Sequence, residues 1–196
     1  MNFTLPRALP RQVTAPVVAV LAKLGVTPNM LTVAQLAGGI IAAVIIASGE
    51  LVWGGVALVA SATLDAFDGS LARSTGRVTR FGGIFDSTVD RLFEGAVMSG
   101  ILFYYVDRAM KTESVLVFVA MVGSLSVSYV RARAGEAGIQ IYDGLFTRVV
   151  RILLLTFGLV IGGLDVILWV LVVMTMFTVL QRLYVARQKL IESGDP

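Results

Sequence analysis

Long apolar runs, separated by short polar or glycine-containing stretches, dominate the chain after residue 27. No residue between Lys23 and Glu50 is charged, so the run over 28–49 has the roughly 20 apolar residues that a membrane helix needs. The later runs are shorter, and each fills a bilayer only if its helix continues through nearby charged residues. The pattern predicts an all-α integral membrane protein with six transmembrane helices, near 28–49, 51–74, 82–107, 114–137, 146–163 and 165–187.

The first 27 residues do not follow this pattern. They contain Pro6, Pro10 and Pro16 and lack the continuous apolar core of a secretory signal. Residues 12–24 suit a short juxtamembrane helix on the cytoplasmic surface. We therefore expect three parts: an N-terminal surface segment (1–27), a membrane domain (28–187) and a C-terminal tail (188–196).

Composition narrows the class of protein. Hydrophobic residues make up 57% of the chain and charged residues 15%, whereas soluble domains contain about 25% charged residues. This excludes most cytosolic enzymes, nucleic-acid binders and disordered regulators. The absence of cysteine and histidine excludes disulfides, thiolate metal sites and histidine-based catalysis. Any acid–base or metal chemistry must use the side chains of Asp, Glu, Lys, Arg, Ser, Thr or Tyr.

The positive charges favour one orientation in the membrane. An even number of spans places both termini on one side, and cytoplasmic loops are enriched in Lys and Arg. Of the 16 Lys and Arg residues, only Arg108 and Lys111 fall on the other side of six helices. We therefore expect a multi-pass protein of the cell membrane with both termini and the active site facing the cytoplasm.

Charged residues inside the spans are the most informative feature, because they are costly in a bilayer and mark functional sites. At about 1.5 Å per residue, Asp65 lies about 21 Å from the outer end of its helix. Asp86 and Asp90 lie about 6 and 12 Å from the inner face. Bases of the last three helices reach the same level: Arg131, Arg133, Arg148, Arg151 and Arg182. Together these charges predict one polar cavity open to the cytoplasm.

Four carboxylates are expected to face one another in this cavity. Asp65 and Asp68 share one helix face, and Asp86 and Asp90 share a face of the next helix. Two divalent cations would relieve their repulsion, and carboxylate oxygens suit Mg²⁺, Mn²⁺ or Ca²⁺. The alternative is that each Asp pairs with an arginine nearby in the sequence, which suits one Asp better than four.

The order and spacing of these acids resemble a known family. The segment from Asp65 to Asp90 matches every fixed position of D-x2-D-G-x2-A-R-x8-G-x3-D-x3-D, the signature of the CDP-alcohol phosphotransferases. Residues 25–32 are similar to the segment that opens the family's first membrane helix. The resemblance covers nearly the whole chain. It implies an enzyme that transfers a phosphatidyl group from CDP-diacylglycerol to an alcohol and releases CMP.

The resemblance also implies roles for particular residues. Two divalent cations, Mg²⁺ or alternatively Mn²⁺, would be held by Asp65, Asp68, Asp86 and Asp90. The catalytic base on the acceptor hydroxyl would be Asp90. The cytidine diphosphate part of the donor would contact Thr27, Pro28, Asp65, Gly69 and Arg73. The family further implies a homodimer surrounded by membrane lipid.

The acceptor is expected to be a phosphorylated polyol, because arginine side chains match the geometry of phosphate. The candidates that would bind this phosphate are Arg131, Arg133, Arg148, Arg151 and Arg182. The segment from Tyr129 to Ala134 resembles the prokaryotic phosphatidylinositol-phosphate synthase branch, which uses inositol phosphate, although Arg131 stands where that branch often has Lys.

Three alternatives remain open on the sequence alone. Within the family, glycerol 3-phosphate could be the acceptor, which would give phosphatidylglycerophosphate. A cation channel or transporter predicts a polar path through both leaflets, but the outer halves of the helices are nearly uncharged. A purely structural membrane scaffold leaves the four acids unexplained.

Overall fold

A computed structural model of the chain describes residues 11–141 and 146–193. The helices in these residues are α1 (Arg11–Lys23), α2 (Pro28–Ala47), α3 (Leu51–Ser74), α4 (Arg80–Asp107), α5 (Lys111–Glu136), α6 (Arg148–Ile161) and α7 (Leu164–Glu192). Within this part of the chain, the prediction of one short helix followed by six more is confirmed in number and order.

Local chemistry explains where several helices begin and end. Thr27 caps α2, because its side-chain oxygen accepts a hydrogen bond from the Met30 backbone N–H at 3.3 Å. Pro28 follows at the first helical position, where a missing N–H costs nothing. Gly162 and Gly163 separate α6 from α7 with φ angles of 101° and 78°. Glycine adopts this left-handed region without the steric cost of a Cβ.

Most helices differ from the predicted bounds by one to three residues at an end, and the last two helices differ most clearly in length. The helix expected over 146–163 is shorter, since α6 begins at Arg148 and ends at Ile161. The last helix is longer and continues past residue 187 to Glu192. Residues 188–192 contain no Gly or Pro and include several strong helix formers, so nothing in the sequence ends the helix earlier.

Of the described helices, α2, α3, α5 and α7 are long and apolar enough to cross a membrane. Large apolar side chains such as Trp53 and Phe103 are exposed, as expected of a surface that faces lipid. Helix α4 has 28 residues but is charged in its first half. Helix α6, with 14 residues, is about 21 Å long. The chain is thus an all-helical, multi-pass membrane protein with four long apolar helices among those described.

Close helix packing positions the polar residues. Helix α2 packs along both α3 and α4, α6 packs on α3, and α5 packs on α7. A Cβ atom at Gly100 would lie 2.4 Å from the carbonyl oxygen of Ala43, and one at Gly39 would lie 2.4 Å from the ring of Phe93. Small residues permit such close approach between membrane helices. The packing brings the end of α3 and the beginnings of α4 and α6 together.

Candidate active site

Three aspartates form a compact group where α3 ends and α4 begins. Asp65 and Asp68 come from α3 and Asp86 from α4, and one carboxylate oxygen of each lies within 4.8 Å of the others. The two helices run in opposite directions and are joined by a short turn, so the acids near the end of α3 lie beside the acid near the start of α4. This is the arrangement that the spacing of the acids predicts.

The three carboxylates fit a divalent cation. Asp68 is buried and accepts a hydrogen bond from the Thr32 hydroxyl at 2.9 Å, which fixes its orientation. One oxygen of Asp86 (Oδ1) is buried and has no hydrogen-bond partner among the described residues. Mg²⁺, Mn²⁺ and Ca²⁺ prefer oxygen ligands such as these carboxylates, and the unpaired oxygen of Asp86 is available to bind such an ion.

The fourth aspartate, Asp90, adjoins this group and is held differently. Its Oδ1 lies 2.8 Å from NH1 of Arg148 on α6 and accepts a hydrogen bond from the Gln35 amide on α2 at 3.3 Å. Arg148 also donates from NH1 to Oδ2 of Asp65 at 2.9 Å. The predicted quartet is therefore a group of three with the fourth acid linked to it by an arginine.

The alternative of Asp–Arg pairing holds in part, but with another arginine than expected. Arg148 lies 83 residues from Asp65 in the chain, whereas the sequence suggested neighbours such as Arg73 or Arg91. Arg91 donates to the backbone carbonyl of Ser87 in its own helix. One arginine from α6 thus serves two of the four acids.

Arg148 has further hydrogen-bonding capacity. Its Nε and NH2 are buried and have no partner among the described residues. The guanidinium carbon lies 5.5 Å from the centre of the Phe93 ring. A buried guanidinium with unused N–H groups, beside a group of acids, is suited to an anionic ligand such as a phosphate.

The other four predicted arginines do not contact the four aspartates. Arg151 is buried and donates from Nε and NH2 to both oxygens of Glu94, at 2.7 and 2.8 Å. Arg182 is buried and donates to the backbone carbonyl of Val127 at 2.6 Å. On the surface, Arg133 pairs with Glu136, and Arg131 is exposed. The predicted basic cluster is therefore divided between a buried part and a surface part.

The residues predicted to contact the nucleotide lie at helix ends. Thr27 and Pro28 form the start of α2. Gly69 and Arg73 are one turn apart near the end of α3, and a Cβ at Gly69 would lie 3.3 Å from NH1 of Arg73. The absent side chain therefore leaves room beside the Arg73 guanidinium, which donates to Ser70 at 3.4 Å.

Sequence reasoning missed two residues, Glu94 and Gln35. Glu94 is buried, pairs with Arg151 and accepts a hydrogen bond from Ser124 at 2.6 Å. Gln35 is fully buried in α2, a helix without any charged residue. Both are polar residues inside predicted spans, so the cost of burying polar groups in a bilayer would have identified them. Glu94 also follows Asp90 by one helical turn, on the same face of α4.

Comparisons with known proteins identify the family of this chain. Residues 25–181 match the model of the CDP-alcohol phosphatidyltransferase family. A phosphatidylinositol phosphate synthase of Mycobacteroides abscessus is 33% identical over 95% of this chain and 89% of its own length. One from Corynebacterium glutamicum is 36% identical over 89% of this chain and 84% of its own. An archaetidylinositol phosphate synthase of Pyrococcus horikoshii is 34% identical over 87% and 88%.

Solved structures of a similar enzyme share the fold of this chain. Two crystal structures of Mycobacterium tuberculosis phosphatidylinositol phosphate synthase superpose on this chain. The TM-score is 0.82 for the structure with CDP-DAG bound and 0.80 for the complex with manganese and citrate. Their sequences are 28% and 29% identical to this chain. The first match covers 89% of this chain and 94% of the other, and the second covers 88% of each. The chain belongs to the CDP-alcohol phosphatidyltransferase family.

Proposed function

We propose that this protein is a phosphatidylinositol phosphate synthase, which transfers the phosphatidyl group of CDP-diacylglycerol to inositol phosphate and releases CMP. The observation that carries the proposal is the position of Arg148. It joins Asp65 to Asp90 through NH1, while Nε and NH2 stay buried without a partner among the described residues. The relatives' names share an inositol phosphate headgroup, which supports the choice of acceptor.

Asp65, Asp68 and Asp86 are the residues that would hold a divalent cation. We propose Mg²⁺, as two ions, with Mn²⁺ as the alternative. When bound, such cations neutralise the pyrophosphate of the donor and orient it. The tuberculosis relative was crystallised with manganese, which supports this assignment. Asp90, which Arg148 links to Asp65, would complete the set of ligands.

Asp90 would also be the base of the reaction. The acceptor oxygen bonds to the phosphorus of the phosphatidyl group, and the bond from that phosphorus to the bridging oxygen of the pyrophosphate breaks. CMP leaves with the electron pair, and the hydroxyl proton passes to Asp90. A carboxylate is a weak base for an alcohol, so stabilisation of the charge on the phosphate must supply most of the rate enhancement.

The donor would bind along the end of α3. We propose that Asp65, Gly69 and Arg73 contact its cytidine diphosphate part, with Thr27 and Pro28 at the edge of the same pocket. The space beside Arg73 that Gly69 leaves open supports this placement. The relative crystallised with CDP-DAG has the same fold, so its binding mode is a direct guide.

The acceptor phosphate would bind the arginines that the sequence identified. Arg148 is best placed, since its unused N–H groups lie beside the acids. We propose that Arg131, Arg133 and Arg182 complete the pocket from α5 and α7. Arg151 would contribute only the N–H groups that Glu94 and the Phe146 carbonyl leave free.

Turnover with different acceptors tests the proposed function. Purified protein in detergent would be given CDP-diacylglycerol, Mg²⁺ and one acceptor at a time, and CMP would be measured. We expect release of CMP with inositol phosphate and little with glycerol 3-phosphate or unphosphorylated inositol. Preference for glycerol 3-phosphate would identify a phosphatidylglycerophosphate synthase instead. Ion flux through liposomes without any CMP release would favour a channel or transporter and overturn the proposal.

We further propose that six helices cross the membrane, with α4 and α6 completing the set of spans. The active site and both termini would then face the cytoplasm. The chain contains no cysteine, so single cysteines introduced at Ser74 and Thr112 would be clean probes of sidedness. A membrane-impermeant thiol reagent added to right-side-out vesicles should label Thr112→Cys and spare Ser74→Cys.

The proposed homodimer is tested by the mass of the purified protein in detergent after correction for bound detergent.

A further inference from the structure

Gln35 is a buried amide that lies outside the family signature and outside the set of charged residues that the sequence pattern assigns to the site. It lies in the middle of α2 with none of its surface exposed. Its Nε2 donates to Oδ1 of Asp90 on α4 at 3.3 Å. It is three residues after Thr32, whose hydroxyl holds Asp68. Two successive polar residues of α2 thus face two of the four aspartates.

The chemistry of the contact determines how the amide is oriented. An ionised carboxylate only accepts hydrogen bonds, so the nitrogen of the Gln35 amide must face Asp90. The amide oxygen Oε1 then points elsewhere, and it is buried with no partner among the described residues. A buried acceptor without a donor destabilises the fold. A hydrocarbon side chain of the same length would fill the space without this cost, so the contribution of Gln35 lies in its contact with Asp90.

The same oxygen of Asp90 has a second partner. NH1 of Arg148, on α6, lies 2.8 Å from Oδ1. Two donors from two different helices therefore hold one oxygen of the carboxylate. Because a carboxylate otherwise turns about its last bond, holding Oδ1 from two directions fixes its plane and leaves Oδ2 as the oxygen that is free to react.

We propose that Gln35 is a positioning residue for the transfer reaction: it keeps Oδ1 of Asp90 against Arg148, so that Oδ2 receives the proton of the acceptor hydroxyl. This inference rests on the proposed function, because it requires that Asp90 act on an alcohol. In the same step the acceptor oxygen bonds to the phosphatidyl phosphorus, and CMP leaves with the electrons of the bond that breaks. Gln35 takes no proton and contacts neither substrate.

Gln35→Met tests the proposal, since Met has a similar length and volume but no N–H donor. We expect kcat to fall roughly 10- to 100-fold, because a mispositioned base loses part of the rate that general base catalysis supplies. KM for both substrates should stay within about twofold of the wild-type values, since Gln35 acts through Asp90 and not through binding. Gln35→Asn keeps the amide but is one methylene shorter, and it should show the same loss. If Gln35→Met does not fold, Gln35→Asn decides the question.

Binding measurements separate positioning from a structural role. Calorimetric Kd values for Mn²⁺ and for CDP-diacylglycerol should change much less than kcat in Gln35→Met, because Gln35 does not contact the main metal-binding group of Asp65, Asp68 and Asp86. The matched control is Thr175→Val, which removes a buried hydroxyl from α7 that, among the described residues, bonds only to carbonyls of its own helix. It should keep wild-type kcat.

Each unfavourable outcome has a distinct meaning. An unchanged kcat in both Gln35 variants overturns this inference and leaves the proposed function standing. A loss of metal or donor affinity that matches the loss of rate also overturns it, because Gln35 would then support the fold of the site. Wild-type protein that releases no CMP with inositol phosphate or glycerol 3-phosphate overturns the proposed function and this inference together.

Discussion

Glu94 and Arg151 form a buried ion pair in which both oxygens of the carboxylate accept from the guanidinium, at 2.7 and 2.8 Å. Glu94 follows Asp90 by one turn of α4, and Arg151 follows Arg148 by one turn of α6. The pairs Asp90–Arg148 and Glu94–Arg151 therefore lie one above the other. The backbones of α4 and α6 pack little against each other, so the long arginine side chains connect the two helices.

Removal of the Glu94 charge should therefore destabilise the protein and weaken its activity. Glu94→Gln leaves the Arg151 charge buried without a counter-charge, and breaking a buried pair in this way costs about 3–5 kcal/mol. We expect a clear fall in Tm, measured by thermal unfolding in detergent. The matched control is Glu136→Gln, which breaks the exposed pair with Arg133 and should cost about 0–1 kcal/mol. Equal Tm shifts in the two variants would contradict the role given to the buried pair.

Asp90→Asn should abolish turnover without preventing donor binding. The substitution keeps the size of the side chain but removes the group that accepts the proton, and general base catalysis contributes about 10²–10⁴-fold. CMP release in steady state and the Kd for CDP-diacylglycerol are the two measurements. Wild-type turnover in this variant would show that another group is the base.

Asp68→Asn should weaken the metal site. Asn can still accept the hydrogen bond from Thr32, so the local structure is retained while one negative ligand is lost. We expect the Mg²⁺ concentration for half-maximal activity to rise roughly tenfold or more. Titration of activity with Mg²⁺ after treatment with EDTA gives this value. Asp107→Asn, at an exposed acid on α4 far from the site, is the control and should titrate like the wild type.

Arg148→Lys should impair use of the acceptor. Lysine keeps the positive charge but lacks the planar fork that allows arginine to bind carboxylates and phosphate at once. We expect KM for inositol phosphate to rise by more than KM for CDP-diacylglycerol, with some loss of kcat because Asp90 also loses its partner. Arg187→Lys, on an exposed part of α7, is the matched control. A rise confined to the donor KM would place Arg148 at the donor instead.

Gly100→Ala should disturb the packing of α4 on α2. The added methyl group would lie 2.4 Å from the carbonyl oxygen of Ala43, so the backbones must separate. Overpacking of this kind costs about 1–3 kcal/mol. Gly95→Ala, in the same helix, adds a methyl group that meets no described atom within 4 Å beyond its chain neighbours and its own helix backbone, and it should leave Tm unchanged or slightly higher. Thermal unfolding of both variants in one detergent makes the comparison, and equal values would contradict the close approach at Gly100.

The sequence alone determined the helices and the group of acids. Apolar runs and glycine-containing turns are local features, and they placed α3 over the same residues that the structure shows. Asp65, Asp68 and Asp86 came together as predicted, because a short turn joins two helices whose acids lie at its two ends. The spacing of the acids was also sufficient to indicate the family that the comparisons confirm.

Only the tertiary structure decided which base meets which acid. Five arginines lie at similar depth, and sequence spacing does not specify how far α6 and α7 stand from α3 and α4 or how each is rotated. Those quantities depend on side-chain packing between helices, including the close contacts at Gly39 and Gly100. Packing is what directs Arg148 to Asp90 and Arg151 to Glu94, because hydrogen bonds in the membrane interior form only between groups that the fold brings within about 3 Å.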